Sequence, residues 1–140
     1  MVKRNQQAKR ELRKASKAAE QQLGMPDGAY IPPDRDLCIA RQWETPVDDL
    51  ATIRLQFNIW RDNGRMVDFV INVQRLSSTG WVSVERFDCC HGHCHLHIDN
   101  AVGTIQTVRT LDCIEDVGKA FIDSQRLADE RARTIRDEGA

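Results

Sequence analysis

Apolar and polar residues alternate through the centre of the chain, between Thr52 and Asn100. An alternation of period two is typical of a strand with one buried face. The first such run ends at Asp62-Asn63-Gly64-Arg65, where Asn-Gly favours the type I′ turn of a β-hairpin. The pattern therefore predicts an antiparallel meander of four to five strands over residues 52–109. Four strands are predicted at Ile53–Trp60, Met66–Leu76, Trp81–Asp88 and His93–Asp99. Val102–Arg109 is the candidate fifth strand, in which Gly103 weakens the pattern.

A helical pattern follows the strands. Asp112-Cys113-Ile114-Glu115 has the form of a capping box, with an acid at the N-cap and a glutamate three residues on. Apolar and small residues then recur at helical spacing. The pattern predicts an amphipathic helix over residues 113–136 that covers one face of the sheet. The fold class is therefore α+β, with the folded domain over residues 51–140. The predicted buried stripe comprises Val117, Ala120, Phe121, Ser124, Leu127, Ala128, Arg131 and Ile135.

Charge is concentrated at the beginning of the chain. The whole chain has 20 basic and 21 acidic residues, but residues 1–23 hold seven basic and only two acidic ones. Good helix formers dominate this segment, which predicts a basic helical arm over residues 1–24. The arm is expected to contact RNA or another polyanion, or else to be a solvated, frayed tail. Its basic residues are Lys3, Arg4, Lys9, Arg10, Arg13, Lys14 and Lys17.

Residues 25–50 resemble neither the arm nor the meander. Asp27-Gly28 and Pro32-Pro33-Asp34 are turn and polyproline signals, so this segment is predicted to be an extended connector. Leu37, Ile39 and Trp43 are expected to hold it against the domain surface.

Composition narrows the function classes. A chain of 140 residues with 41 % hydrophobic and 29 % charged residues is expected to form one folded domain. No apolar run reaches the roughly 20 residues of a membrane helix, and the first residues lead into no apolar segment. We therefore expect a cytoplasmic protein without a membrane partner. Its five cysteines, an odd number with Cys89 and Cys90 adjacent, favour thiols or metal ligands over disulfides. No phosphate-binding glycine loop or dinucleotide fingerprint is present, so no nucleotide cofactor is expected.

All four histidines lie within seven residues, from His91 to His97. Alternate side chains of a strand share a face, so His93, His95 and His97 are expected to project together, with neighbouring positions about 6.5–7 Å apart. Cys94 and the other alternate residues are expected to face the core. Candidate chemistry is therefore concentrated in and around this histidine segment.

One interpretation of the cluster is a metal site. Zinc binds imidazole nitrogens and thiolates in a tetrahedron, and an open fourth position would make the site catalytic. The candidate zinc ligands are His93, His95, His97, Cys89 and Cys90, with Asp88 also within reach.

A second interpretation is metal-free acid–base catalysis, since imidazole titrates near neutral pH. His91, His95 and His97 would transfer protons, Asp88 would orient a histidine, and Arg86 would meet a phosphate. Cleavage of RNA needs only such a base, acid and cation. The alternatives are a zinc-stabilised binding module without turnover, or a subunit of a larger assembly in which the histidines line a solvated face without function.

The segment Arg86-Phe87-Asp88-Cys89-Cys90-His91-Gly92-His93-Cys94-His95-Leu96-His97 resembles a motif of small uncharacterised actinobacterial proteins, R-x-D-x-x-H-G-x-x-H-x-H after a β-meander. It is also similar to the histidine-rich hairpin of TumE-type toxins from toxin–antitoxin pairs. The likeness covers residues 52–100. Resemblance to the first family implies no activity. Resemblance to the second is consistent with a function as a toxin-like ribonuclease. The resemblance implies site positions at Arg86, Asp88, His91, His95 and His97, with His93 and the cysteines as additions.

Overall fold

A computed structural model describes residues 28–90, 92–99 and 102–138 of the chain. The predicted basic arm and His91 lie outside the described residues, as does the side chain of Cys90. A short 3-10 helix at Arg35–Leu37 precedes the sheet. The other elements are β1 (Ile39–Pro46), β2 (Ile53–Asp62), β3 (Arg65–Ser77), β4 (Gly80–Cys90), β5 (His93–Ile98), β6 (Ile105–Thr110) and α1 (Ile114–Glu138).

The strands form one antiparallel meander in the order β1-β2-β3-β4-β5-β6. The predicted α+β class is confirmed, but the expected count of four to five strands is wrong, since this sheet has six. The additional strand, β1, comes from the segment predicted to be an extended connector, and it pairs with β2 from Ile39↔Arg61 to Pro46↔Arg54. All eight residues of β1 are exposed. An edge strand with no buried face does not show the alternation that reveals the other strands.

The β2–β3 hairpin turns at the predicted Asn-Gly pair. Asn63 and Gly64 both have positive φ, 52° and 76°, as a type I′ turn requires. The turn fixes the register of the two strands and therefore which residues share a face.

Helix α1 covers one face of the sheet, here called the helix face. Its ends differ by one or two residues from the predicted 113–136. Phe121 meets Phe69 edge-on at 5.3 Å and Phe57 at 6.1 Å between ring centroids. Small side chains let the helix approach the sheet closely. The fully buried small residues of α1 are Ala120, Ser124, Ala128 and Ala132.

An ion pair between a partly exposed arginine and a buried glutamate joins the helix to β4. The Arg131 guanidinium donates from Nε and Nη2 to the two oxygens of Glu85, at 2.9 and 2.6 Å. The Glu85 side chain is 4 % exposed. Such a bidentate pair specifies geometry as well as adding energy.

The opposite face of the sheet, here called the polar face, carries a network of amide side chains. The Oε1 atom of Gln56 accepts hydrogen bonds from the Nδ2 atoms of Asn58 and Asn72, both at 2.8 Å. Two arginine–tryptophan stacks flank this network. The Arg35 guanidinium lies 4.0 Å from the Trp60 ring centroid, and Arg54 lies 4.2 Å from that of Trp81.

The chain before β1 crosses the end of the sheet where β5 begins. Tyr30 N donates to Leu111 O at 3.0 Å, and Leu111 N donates to Gly92 O at 2.7 Å. Gly92 has φ of 75°, and a Cβ there would collide with the Gly28 backbone. These contacts fix the turn that leads into the histidine strand.

No helix among the described residues is long and apolar enough to cross a membrane.

Candidate metal centre

The strand register places the predicted site residues in two rows across the polar face. In one row Asp88 of β4 pairs with His95 of β5, which pairs with Thr107 of β6. In the next row Asn72, Arg86, His97 and Ile105 are paired in succession across β3–β6. Side chains that are directly paired across antiparallel strands lie on the same face.

The imidazoles of β5 lie side by side, as the alternation predicts. Ring centroids of His93 and His95 are 5.5 Å apart, and those of His95 and His97 are 5.9 Å apart. Cys94 lies on the helix face, with Sγ 3.1 Å from Ser124 Oγ. His93 and His95 are only 0 % and 1 % exposed. The alternative of a solvated histidine face therefore does not hold for these two residues.

Asp88 is the centre of the polar contacts. Its Oδ1 accepts from His97 Nε2 at 2.9 Å, and its Oδ2 lies 3.0 Å from Arg86 Nε. Burial by itself would raise the pKa of the Asp88 carboxyl. The hydrogen bond and charge of His97, together with the charges of Arg86 and His95, outweigh burial and lower that pKa below its usual value. Asp88 is therefore held as a carboxylate.

Asp88, His95 and His97 form a three-residue group that could hold a metal ion. One ligand atom from each lies within 4.8 Å of the others. Zinc bonds of about 2.0–2.2 Å place tetrahedral ligand atoms roughly 3.4 Å apart, so small side-chain rotations would close the site. Two imidazoles and one carboxylate are the donor set of several catalytic zinc and non-haem iron sites, which keep further positions open for water or substrate. The residues present therefore fit a divalent transition metal.

The structure separates Cys89 from the group. Cys89 pairs with Cys94 and is buried in the core of the helix face, because successive side chains of β4 alternate between faces. The hydrogen bond with Cys94, together with burial, raises the pKa of the Cys89 thiol far above its usual value. A neutral thiol on the wrong face does not serve as the predicted zinc ligand.

The other predicted site residues are Cys90, His91 and His93. Cys90 is paired with His93 in the register, but its side chain lies outside the described residues, as does all of His91. His93 stacks on His95 and is not a member of the three-residue group, whereas Asp88 is. The group thus joins one residue that the sequence suggested as an orienting acid to two of the predicted imidazoles.

A cleft of about 340 Å³ lies beside the group, and both Arg86 and His97 line it. The Arg86 side chain is 49 % exposed and that of His97 is 25 % exposed. Sequence reasoning missed the remaining lining residues, because only strand register and the β5–β6 loop bring them together. They include Asn72, Ser83, Asp99, Thr104 and Ile105.

A protein-family model described as a domain of unknown function, DUF7718, matches residues 38–138. The chain belongs to the DUF7718 family. The family match includes all six strands and the helix, together with the three-residue group. It agrees with the expected membership of an uncharacterised domain family, whereas the resemblance to TumE-type toxins stays a prediction. No curated protein matches the chain, and no solved structure does.

Proposed function

We propose that this DUF7718 protein binds a divalent transition metal, zinc in the first place, through Asp88, His95 and His97, and that it cleaves RNA at this site. The observation that carries the proposal is the convergence of three ligand atoms within 4.8 Å, next to an exposed arginine. A bound ion of this kind activates water and polarises phosphoryl oxygens.

Each neighbouring residue has a role in the proposed reaction. Asp88 stays ionised, as a ligand must, and its contact with Arg86 Nε orients the guanidinium. His97 lies at the boundary between the buried His95 and the cleft, so substrate approaches from the His97 side. Arg86 then meets the phosphate, for which its planar fork of donors is suited.

Affinity for the RNA chain would come from the basic residues at the beginning of the sequence. The seven basic residues among positions 1–23 would attract the RNA backbone, with an affinity that falls steeply with salt. The similarity of the histidine segment to TumE-type toxins supports the same assignment.

Metal content of untagged protein tests the first half of the proposal. We expect about one zinc per chain after purification, and loss of that zinc in Asp88→Asn and His97→Ala. The matched control is Asp99→Asn, because Asp99 lines the same cleft but is not one of the three grouped residues. A wild-type protein that fails to bind added zinc, nickel, manganese or iron would overturn the metal assignment.

Cleavage of a single-stranded RNA tests the second half. We expect cleavage by wild type and by Asp129→Asn, which changes a half-exposed residue of α1. We also expect loss of cleavage after chelation and its recovery when zinc is added back. Stoichiometric zinc without any cleavage would instead identify a zinc-stabilised binding module, which would unfold when the metal is removed.

The second candidate is metal-free acid–base cleavage of RNA, and the 2.9 Å hydrogen bond between Asp88 and His97 favours it. A carboxylate that orients an imidazole is the usual arrangement for proton transfer. In this case cleavage persists in chelator and shows a bell-shaped pH profile. The metal-dependent reaction is excluded if both results are obtained with protein shown to be free of metal.

A further inference from the structure

The cleft beside the candidate metal centre has the size and lining of a small-ligand site. Its volume of about 340 Å³ lies at the lower end of the roughly 300–1,000 Å³ of ligand pockets. A site of this size holds one small ligand and not a polymer. The cleft therefore sets the size of whatever group is held next to the three-residue group.

Arg86 and His97 are the lining residues of the cleft that also contact Asp88. Arg86 and His97 are paired across β4 and β5, so their side chains lie next to each other on the polar face. The Nε atom of Arg86 is directed at Asp88 Oδ2, at 3.0 Å, which fixes the plane of the guanidinium. Its two terminal nitrogens are then the donors suited to two oxygens of one oxyanion.

The rest of the lining is neutral or apolar, apart from Glu85 and Asp99. Both carboxylate oxygens of Glu85 are already bound to Arg131, so the charge of Glu85 is compensated. Ile98 and Ile105 supply apolar surface, and Ser83 is one of the residues that supply polar groups. A ligand with one anionic end and one partly apolar end matches this distribution.

We infer that the cleft binds the phosphate ester of a single nucleotide unit, with the phosphate on Arg86 and the nucleoside against Ile105. The inference rests on the proposed function and deepens it, since it assigns the position of the RNA unit that is held during cleavage. The phosphate-binding role of Arg86 is common to both proposals, and the place of the nucleoside is the new assignment.

The test separates phosphate binding by Arg86 from the role of Arg86 in positioning Asp88. Adenosine 5′-monophosphate is titrated into metal-free protein and followed by backbone amide shifts and by calorimetry, with adenosine and inorganic phosphate titrated alone for comparison. We expect the monophosphate to bind more tightly than either part, with shifts at Asn72, Ser83 and Ile105. Absence of binding at millimolar ligand, or shifts confined to other surfaces, would overturn the inference without affecting the metal assignment.

Two variants then compare nucleotide and zinc affinity on the same samples. In Arg86→Gln we expect nucleotide binding to weaken about tenfold or more, because a charge-assisted bidentate contact is lost. Zinc affinity should be unchanged or tighter, since a positive charge next to the ligands is removed. The control is Arg109→Gln. Arg109 pairs with Asp123 of α1, on the other side of the sheet from the cleft, so this variant should change neither affinity.

A parallel loss of both affinities in Arg86→Gln would show that Arg86 only holds Asp88 in place, and would contradict the inference. Arg86→Lys provides a further check, because it keeps the charge but not the planar fork. We expect it to recover only part of the nucleotide affinity. Full recovery would rule out the bidentate contact.

Discussion

Asp88 and His97 are diagonal neighbours on adjacent strands, and their side chains meet at 2.9 Å. Asp88 is directly paired with His95, so the diagonal contact brings the carboxylate between two imidazoles. This geometry depends on the β4–β5 register alone. A shift of β5 by one residue along β4 would place Cys94 and Leu96, and not His95 and His97, on the polar face.

Zinc should stabilise the fold through this arrangement. A ligand that binds only the folded state at 100 times its dissociation constant adds about 2.7 kcal/mol to the free energy of unfolding. We expect an increase of that order in urea unfolding of wild type with excess zinc, and none in His97→Ala. Asp99→Asn should keep the full increase. An equal increase in His97→Ala would place the zinc elsewhere.

The turn before β5 should be intolerant of a side chain at Gly92. Both Gly92 and Gly103 have positive φ, 75° and 66°, but only at Gly92 would a Cβ collide with backbone, that of Gly28. Gly103→Ala should cost about 1 kcal/mol of strain. Gly92→Ala should cost about 3 kcal/mol or more, because crowding against rigid backbone is added. Urea unfolding measures both, and equal losses would show that the Gly28 contact does not constrain the turn.

The ion pair between Arg131 and the buried Glu85 carboxylate should be costly to break and inexpensive to replace. Arg131→Met leaves the carboxylate of Glu85, 4 % exposed, without its partner, and we expect a loss of about 3 kcal/mol. The double variant Glu85→Leu/Arg131→Met should recover to within about 1 kcal/mol of wild type. Chemical unfolding of the two variants measures the difference.

The same helix offers a control for this pair. Arg133 pairs with Asp129 at 3.1 Å, but both side chains are about half exposed, at 56 % and 47 %. Arg133→Met should therefore change stability by less than about 0.5 kcal/mol. Similar losses in Arg131→Met and Arg133→Met would mean that helix propensity, and not the buried charge, decides the result.

The sequence predicts the strands and the helix that bury one face. It does not predict a strand without a buried face, or contacts that depend on strand register. The alternation of Ile53 to Ile59 and the helical spacing after Val117 both arise because these residues pack in one core. The edge strand β1 shows no such pattern. Even Trp43, whose ring centroid lies 4.9 Å from that of Phe57, remains partly exposed.

The candidate site shows the same division. Alternation alone places His95 and His97 on one face, and it also excludes Cys89 once Asp88 is assigned to that face. Asp88 is identified as the third ligand only when the pairing of β4 with β5 is known. The sequence does not fix the length of the turn between these strands, so it does not fix their pairing. Asn72 and Ile105 join the cleft from strands on either side, and no local pattern marks them.

Tyr30 provides a test of how the segment before β1 is held against the sheet. It is the only tyrosine of the chain, so its titration is assigned without mutation. Its hydroxyl donates to Val67 O at 2.6 Å. Burial, with a further contribution from the charge of Asp68, raises the pKa of Tyr30 from 10.0 to about 12. The phenol should therefore ionise about two pH units later in the folded protein than in the unfolded chain.

The sign of the linkage follows from this direction. Because folding raises the pKa, the stabilisation from the neutral phenol is complete below pH 10 and is lost as the pH rises towards 12. Near-ultraviolet absorbance of the phenolate should show the late ionisation in native protein and ordinary ionisation in urea, with circular dichroism recorded in parallel to establish that the native sample is still folded. Tyr30→Phe, which keeps the ring but not the hydroxyl, should abolish the absorbance change and flatten the stability profile between pH 10 and 12. Ionisation near pH 10 in a folded sample would show that the hydroxyl is solvated and that this segment does not pack on β3 as described.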